Sequence, residues 1–143
     1  MSVDLLLLHT GRLRASVSVW SASRWTAAPH LLPGLPPTAG TCAGVAAHLV
    51  QALADLGADA EGRPRRRVPP PDSDLVLPDQ LLVMAYDIVF AEPDDALVGA
   101  ALDEVLLHRA EIDGARAEPQ LVSRAAAACA LRHTGQVSGA RDI

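Results

Sequence analysis

The chain has 143 residues, a formal net charge of −5 and a hydrophobic share of 50%. This balance excludes a wholly disordered protein, whose signature is low hydrophobicity with high net charge. The length predicts one domain, residues 1–143, built around a single core. The chain has few large aromatic residues, namely two Trp, one Tyr and one Phe. The core must therefore consist of Leu, Val and Ala side chains, which favours closely packed helices.

Charge and cysteine content bear on partners and location. Lysine is absent and Ala, Gly and Pro are frequent, which indicates a GC-rich, bacterial genome. Residues 1–67 carry seven Arg against four acidic residues, a balance of +3, whereas residues 68–143 carry five against thirteen, a balance of −8. Such polarity can steer charged partners. The two Cys form no CxxC pair, and the run Leu5–Leu8 is too short for a signal peptide or a membrane span. We therefore expect reduced thiols and a cytoplasmic protein without membrane contact.

The N-terminal segment is interpreted as a β-hairpin. Val3–Leu8, which contains the apolar run Leu5–Leu8, is interpreted as a short buried strand, and Leu13–Trp20 alternates between apolar and polar residues. Alternation with a period of two is typical of a half-buried strand. The turn would lie at residues 9–12.

Proline density and helix signals organise the middle of the chain. Residues 21–40 contain four Pro and two Gly and predict a connecting loop. Thr41 is a good N-cap for an amphipathic helix that Gly57 would end. Residues 58–74, rich in Arg and Pro, predict an exposed linker within the domain.

Three further helices follow. Pro78 suits a first helical position, and Asp79–Ala91 is so apolar that it predicts a central, buried helix. Asp94 or Asp95 caps a longer helix that runs to about Asp113 and stops at Gly114. A last helix starts near residue 119, and the chain from about residue 134 is expected to be frayed. The fold class is mainly α or α+β, with about four packed helices and the N-terminal β-hairpin.

Cys42 is the best nucleophile candidate, since it lies in the small-residue run Gly40–Gly44 at a helix start, where unpaired N–H groups favour a thiolate. Asp87 is the one charged residue between Gln80 and Glu92 and would be its acid or base. His48 would carry the proton, with His9 and His30 as alternatives. The competing interpretation of Cys42 is a small buried core residue.

Glu104, His108 and Glu111 follow one another at i, i+4 and i+7 and could stack three metal ligands on one helix face. The inward face of that helix is already assigned to apolar residues, so we expect the trio to face water. Without a second ligand-bearing helix, neither a metal nor another cofactor is expected.

Arg63, Arg65, Arg66 and Arg67 form a basic cluster that could bind an anionic partner. The cluster lacks interleaved aromatic residues and belongs to an acidic protein, which argues against nucleic acid.

Two functional hypotheses result. The first is a non-enzymatic accessory or regulatory domain that binds another protein or itself, as a homodimer or larger homo-oligomer, because the chain has abundant apolar surface and no catalytic motif. The second is a small cysteine-dependent enzyme, or a protein that binds an anionic small ligand, with a pocket at Gly40–Gly44.

Overall fold

A computed structural model of the protein describes residues 2–114, 122 and 124–132. The longer helices are α1 (Ser2–Val17), α3 (Cys42–Glu61), α4 (Leu77–Phe90) and α5 (Asp95–Asp113). A short helix α2 (Ala22–Trp25) and a 3₁₀ turn (Asp74–Val76) precede α3 and α4. Residues 124–132 are also helical. The mainly α prediction is confirmed.

The predicted N-terminal β-hairpin is wrong, because Ser2–Val17 is a single α-helix and the described residues contain no strand. Its buried residues are Leu6, Thr10, Leu13 and Val17, a spacing of four, three and four that belongs to a helix. The buried Thr10 hydroxyl donates to the Leu6 carbonyl oxygen (2.7 Å), which satisfies its polar group within the helix. The alternation of apolar and polar residues in 13–19 is therefore part of a longer helical pattern and does not indicate a strand.

Caps determine most helix ends. The Thr41 side chain accepts a hydrogen bond from Gly44 N, and the Asp94 side chain accepts one from Leu97 N. Gly114 ends α5 in the left-handed region, as predicted. Gly57, predicted to end α3, instead lies buried inside it, and the helix continues to Gly62, whose φ of 67° provides the left-handed cap.

The four longer helices form a bundle. α1 and α3 each pack along both α4 and α5, while α4 and α5 touch little and lie diagonally across the core. The shared core combines aliphatic side chains of all four helices with the fully buried indole of Trp25 in α2. α4 is less buried than predicted, since Val83, Tyr86 and Phe90 are exposed on it.

Two irregular segments are fastened to the bundle. The Gln51 side chain on α3 accepts from Val68 N (2.8 Å) and donates to the Arg66 carbonyl oxygen (3.0 Å), which holds the Arg/Pro segment against α3. The segment 26–41 crosses α5, where Glu111 O accepts a hydrogen bond from His30 N (2.8 Å). The predicted frayed end from about residue 134 lies outside the described residues.

Candidate functional site

A buried polar cluster lies on one face of α5. Glu104, His108 and Glu111 are 4%, 2% and 3% exposed. The expectation that this trio faces water is wrong, because the segment 26–41, called the proline-rich segment below, and the 124–132 helix cover this face of α5. Apolar residues occupy the other side of α5 in the core, so the helix is buried on two sides.

His108 is hydrogen-bonded at both ring nitrogens. Its Nδ1 lies 2.6 Å from the carbonyl oxygen of Glu104, one turn earlier on α5. Its Nε2 lies 3.1 Å from Nδ1 of His48 on α3. The ring planes differ by only 19° and the ring centres are 5.2 Å apart. Given the short nitrogen–nitrogen distance, the rings meet edge to edge in an in-line hydrogen bond rather than face to face.

Burial controls the charge of His108. Removal from water is the largest effect and lowers the pKa of His108 below its ordinary value, while its hydrogen bond to Glu104 O and the nearby carboxylates of Glu104 and Glu111 oppose the shift. We therefore describe His108 as a neutral imidazole at pH 7.

Glu111 holds the proline-rich segment in place. Its carboxylate accepts from Thr38 N (2.9 Å) and from the Thr38 hydroxyl (2.7 Å), so both oxygens are engaged by one residue. Hydrogen bonds to an ionised acceptor are the stronger kind. The segment is thus tied to α5 by the Glu111 side chain as well as by its backbone.

Glu104 meets the 124–132 helix. Arg132 bridges to Asp103 (3.2 Å) and approaches Glu104 (3.6 Å). Burial raises the pKa of the Cys129 thiol to about 12, and the adjacent Glu104 carboxylate contributes to the shift. Cys129 is therefore a protonated, unreactive thiol at neutral pH.

These groups form one side of a cavity of about 410 Å³. Its polar lining consists of Thr38, His48, Glu104, His108 and Glu111, with the Cys129 sulfur beside them. Leu, Pro and Ala side chains from the proline-rich segment, α5 and the 124–132 helix form the apolar walls, namely Leu32, Leu35, Pro36, Pro37, Leu107, Ala126 and Ala130. A largely apolar pocket with a few convergent polar groups is typical of a small-molecule site.

Comparison with known proteins assigns the chain to no family. No family model, curated protein or solved structure matches it. In the described part of the chain, no cluster of three or more His, Cys, Asp or Glu side chains could hold a metal ion. None of the described helices combines the length and apolarity that a bilayer crossing requires.

The structure places the predicted catalytic residues in three different surroundings. Cys42 is buried at the start of α3, with its sulfur 3.8 Å from the Ala28 carbonyl oxygen, and burial raises its thiol pKa. His48 is exposed and bonds to His108. Asp87 is exposed on α4 and lines another cavity.

The two alternative proton carriers lie elsewhere. His9 on α1 contacts the Arg109 guanidinium (3.1 Å), and burial followed by that positive charge lowers the pKa of His9. The exposed His30 ring lies against Gly114 at the end of α5. Neither lines the cavity over α5.

The four arginines of the basic cluster divide into two kinds. Arg63 pairs with Glu61, and Arg65 pairs with Asp59 through a contact of 2.6 Å. Arg66 and Arg67 form no ion pair with the described residues. Together with Arg63 and Asp87, they line a second cavity of about 430 Å³ between α3, α4 and the Arg/Pro segment.

Proposed function

We propose that the protein binds a small, largely apolar molecule in the cavity over α5. The observation that carries this proposal is the buried polar wall of His108, Glu104 and Glu111 beneath an apolar, partly open cavity of about 410 Å³. Burying two carboxylic side chains and an imidazole costs free energy unless they are well bonded, so their placement beside an opening favours a binding role.

Binding is proposed here rather than thiol chemistry, because burial raises the pKa of both Cys42 and Cys129. A raised thiol pKa lowers the thiolate fraction at neutral pH and with it the nucleophilicity. The acidic groups around the cavity also favour a neutral ligand over the anionic ligand of the second sequence-based hypothesis. Both thiols are free, which suits the reducing cytoplasm that we propose as the location.

The test is ligand-observed NMR with a library of small neutral aromatic and aliphatic compounds. Leu107→Trp replaces a residue of the cavity wall by a larger one that fills part of the cavity. We expect this variant to lose binding of the compounds that wild type binds. Val83→Trp, which adds the same ring to an exposed position on α4, is the matched control and should bind as wild type does. Equal binding by all three proteins, or no binding by wild type, would contradict the proposal.

Self-association is a second candidate function, favoured by an exposed apolar stripe on α4. Val83, Tyr86 and Phe90 are 54%, 41% and 78% exposed, and the two aromatic rings pack with their centres 6.0 Å apart. Their spacing places them on one helix face, and such faces in two copies can pair across a two-fold axis. This stripe supports the homodimer of the first hypothesis.

Sedimentation velocity across a concentration series tests this second candidate. Phe90→Ser should weaken the dimer, whereas Val19→Ser, at an exposed apolar position of 85% outside the stripe, should leave it unchanged. A wild-type protein that remains monomeric at the highest concentration would exclude homodimer formation through this stripe.

A further inference from the structure

The hydrogen bonds of the two histidines determine where each ring carries its proton. The backbone oxygen of Glu104 can only accept, so His108 Nδ1, 2.6 Å away, must carry the hydrogen. In a neutral imidazole the other nitrogen is then a bare acceptor. Because His108 is neutral, its Nε2 accepts, and His48 Nδ1 must donate to it across 3.1 Å.

The same rule applies to the second ring. In its neutral form His48 has a single ring hydrogen, which it carries on Nδ1, so its Nε2 is left with a free lone pair. His48 is exposed and lines the cavity, and its Nδ1 edge is occupied by His108. The hydrogen-bonded pair of His48 and His108, called the histidine relay below, therefore leaves a hydrogen-bond acceptor, His48 Nε2, on an exposed ring that lines the cavity.

The donors of Thr38 and Cys129, which also line the cavity, are already committed to protein acceptors. The Thr38 hydroxyl and the Thr38 N–H both donate to the Glu111 carboxylate. The Cys129 thiol is hydrogen-bonded to the Glu104 carboxylate. What the polar wall offers to a ligand is a set of acceptors: His48 Nε2 and the oxygens of Glu111 and Thr38.

We propose that the cavity selects an apolar molecule bearing a hydroxyl or N–H donor, and that His48 Nε2 is the acceptor which binds that donor. This inference rests on the proposed binding function and adds the ligand class and the recognising atom. His108 acts as a positioning residue, since it contacts His48 and not the donor group of the ligand. A ligand whose polar group only accepts would meet no donor among these side chains.

Phenol, anisole and benzoate are the probes that test the ligand class. They share one ring and differ in offering a donor, a methylated oxygen or a carboxylate. We expect wild type to bind phenol about tenfold more tightly than anisole, the usual effect of one hydrogen bond, and to bind benzoate most weakly. His48→Phe should remove the preference for phenol over anisole, while Ala47→Gln, at an exposed neighbour on α3, should retain it.

Failure of the inference and failure of the binding function give different results. Equal affinity for phenol and anisole in wild type overturns the donor selection and leaves the binding function standing. Absence of binding by every probe, together with an empty library screen, overturns both.

Histidine tautomers provide a readout that needs no ligand and no variant. Long-range ¹H–¹⁵N NMR of the unbound wild-type protein above pH 7 should show both His48 and His108 protonated at Nδ1, although Nε2 protonation is the ordinary preference of a free histidine. His48 protonated at Nε2 would overturn the relay.

The same NMR experiment can be repeated with phenol present. Phenol should then shift the His48 Nε2 resonance while leaving that of Nδ1 nearly in place, and a phenol complex in which neither His48 nitrogen responds would also overturn the proposal.

Discussion

The bond between Glu111 and Thr38 is the contact most open to a quantitative test, because it fastens the cavity wall to α5. Thr38→Val keeps the side-chain shape and removes only the hydroxyl that donates to Glu111 Oε2 at 2.7 Å. A hydrogen bond to a charged group contributes about 1.5–3 kcal/mol. The variant should therefore lose about that much free energy of unfolding, the lower end being expected because Thr38 is only half-buried. Glu111→Gln should lose at least as much, since it weakens the bond to Thr38 N as well.

A double-mutant cycle isolates the interaction. Thr38→Val removes the hydroxyl–carboxylate bond and Glu111→Gln weakens the same bond, so the double variant should be less destabilised than the sum of the two, with a coupling of about 1–2 kcal/mol. Urea unfolding gives the free energies, and hydrogen exchange should show faster exchange at the Thr38 amide in Glu111→Gln. Additive single effects, or unchanged exchange at Thr38, would refute the claim that Glu111 holds this segment.

Three further outcomes are expected. Below pH 6.5 the unfolded chain gains a proton on His108, whereas burial lowers the pKa of His108 in the folded protein, which does not take up that proton. The free energy of unfolding should therefore fall as the pH decreases towards 5. The loss should be about 1.4 kcal/mol for each unit by which folding lowers the pKa. His108→Gln should flatten this part of the pH–stability curve, and an equal slope in both proteins would contradict the assignment. Gly114→Ala should lower the free energy of unfolding, measured with urea, more than Gly62→Ala does. Both positions need a left-handed backbone, which costs a residue with a Cβ about 1–2 kcal/mol. Only at residue 114 would the new Cβ also lie 3.0 Å from an imidazole ring. Cys42 should be alkylated slowly in the folded protein and rapidly after unfolding, whereas fast alkylation with an apparent pKa below ~8.5 would restore it as a nucleophile.

Local sequence signals predicted much of the helical framework. Thr41, Asp94 and Gly114 act as caps because their chemistry is local: a side-chain oxygen meets an N–H three residues on, or a residue without Cβ adopts positive φ. Gly57 failed as a stop signal because helix α3 tolerates a buried glycine there, where an added Cβ would lie 3.7 Å from Ile88 of α4, an ordinary contact distance. Whether a glycine ends a helix depends on tertiary packing that its neighbours in sequence do not encode.

The candidate site was only partly accessible from the sequence. The spacing of Glu104, His108 and Glu111 correctly places them on one face of α5. These residues are buried because the proline-rich segment, which lies roughly 60 to 80 positions earlier in the chain, folds over that face. The spacing of apolar residues is a local pattern and cannot predict such a long-range contact. His48 illustrates the same limit, since its placement on the polar side of α3 was foreseeable and its partner on α5 was not.

The most direct test of the binding site is a map of the backbone amide shifts that phenol causes in the ¹⁵N-labelled wild-type protein. Binding over α5 should shift the amides of Leu35, Thr38, His48 and Leu107, which surround the cavity. Saturable shifts confined to that set would support the account. Shifts confined to the α4 stripe of Val83, Tyr86 and Phe90, or no saturable shifts at all, would contradict it.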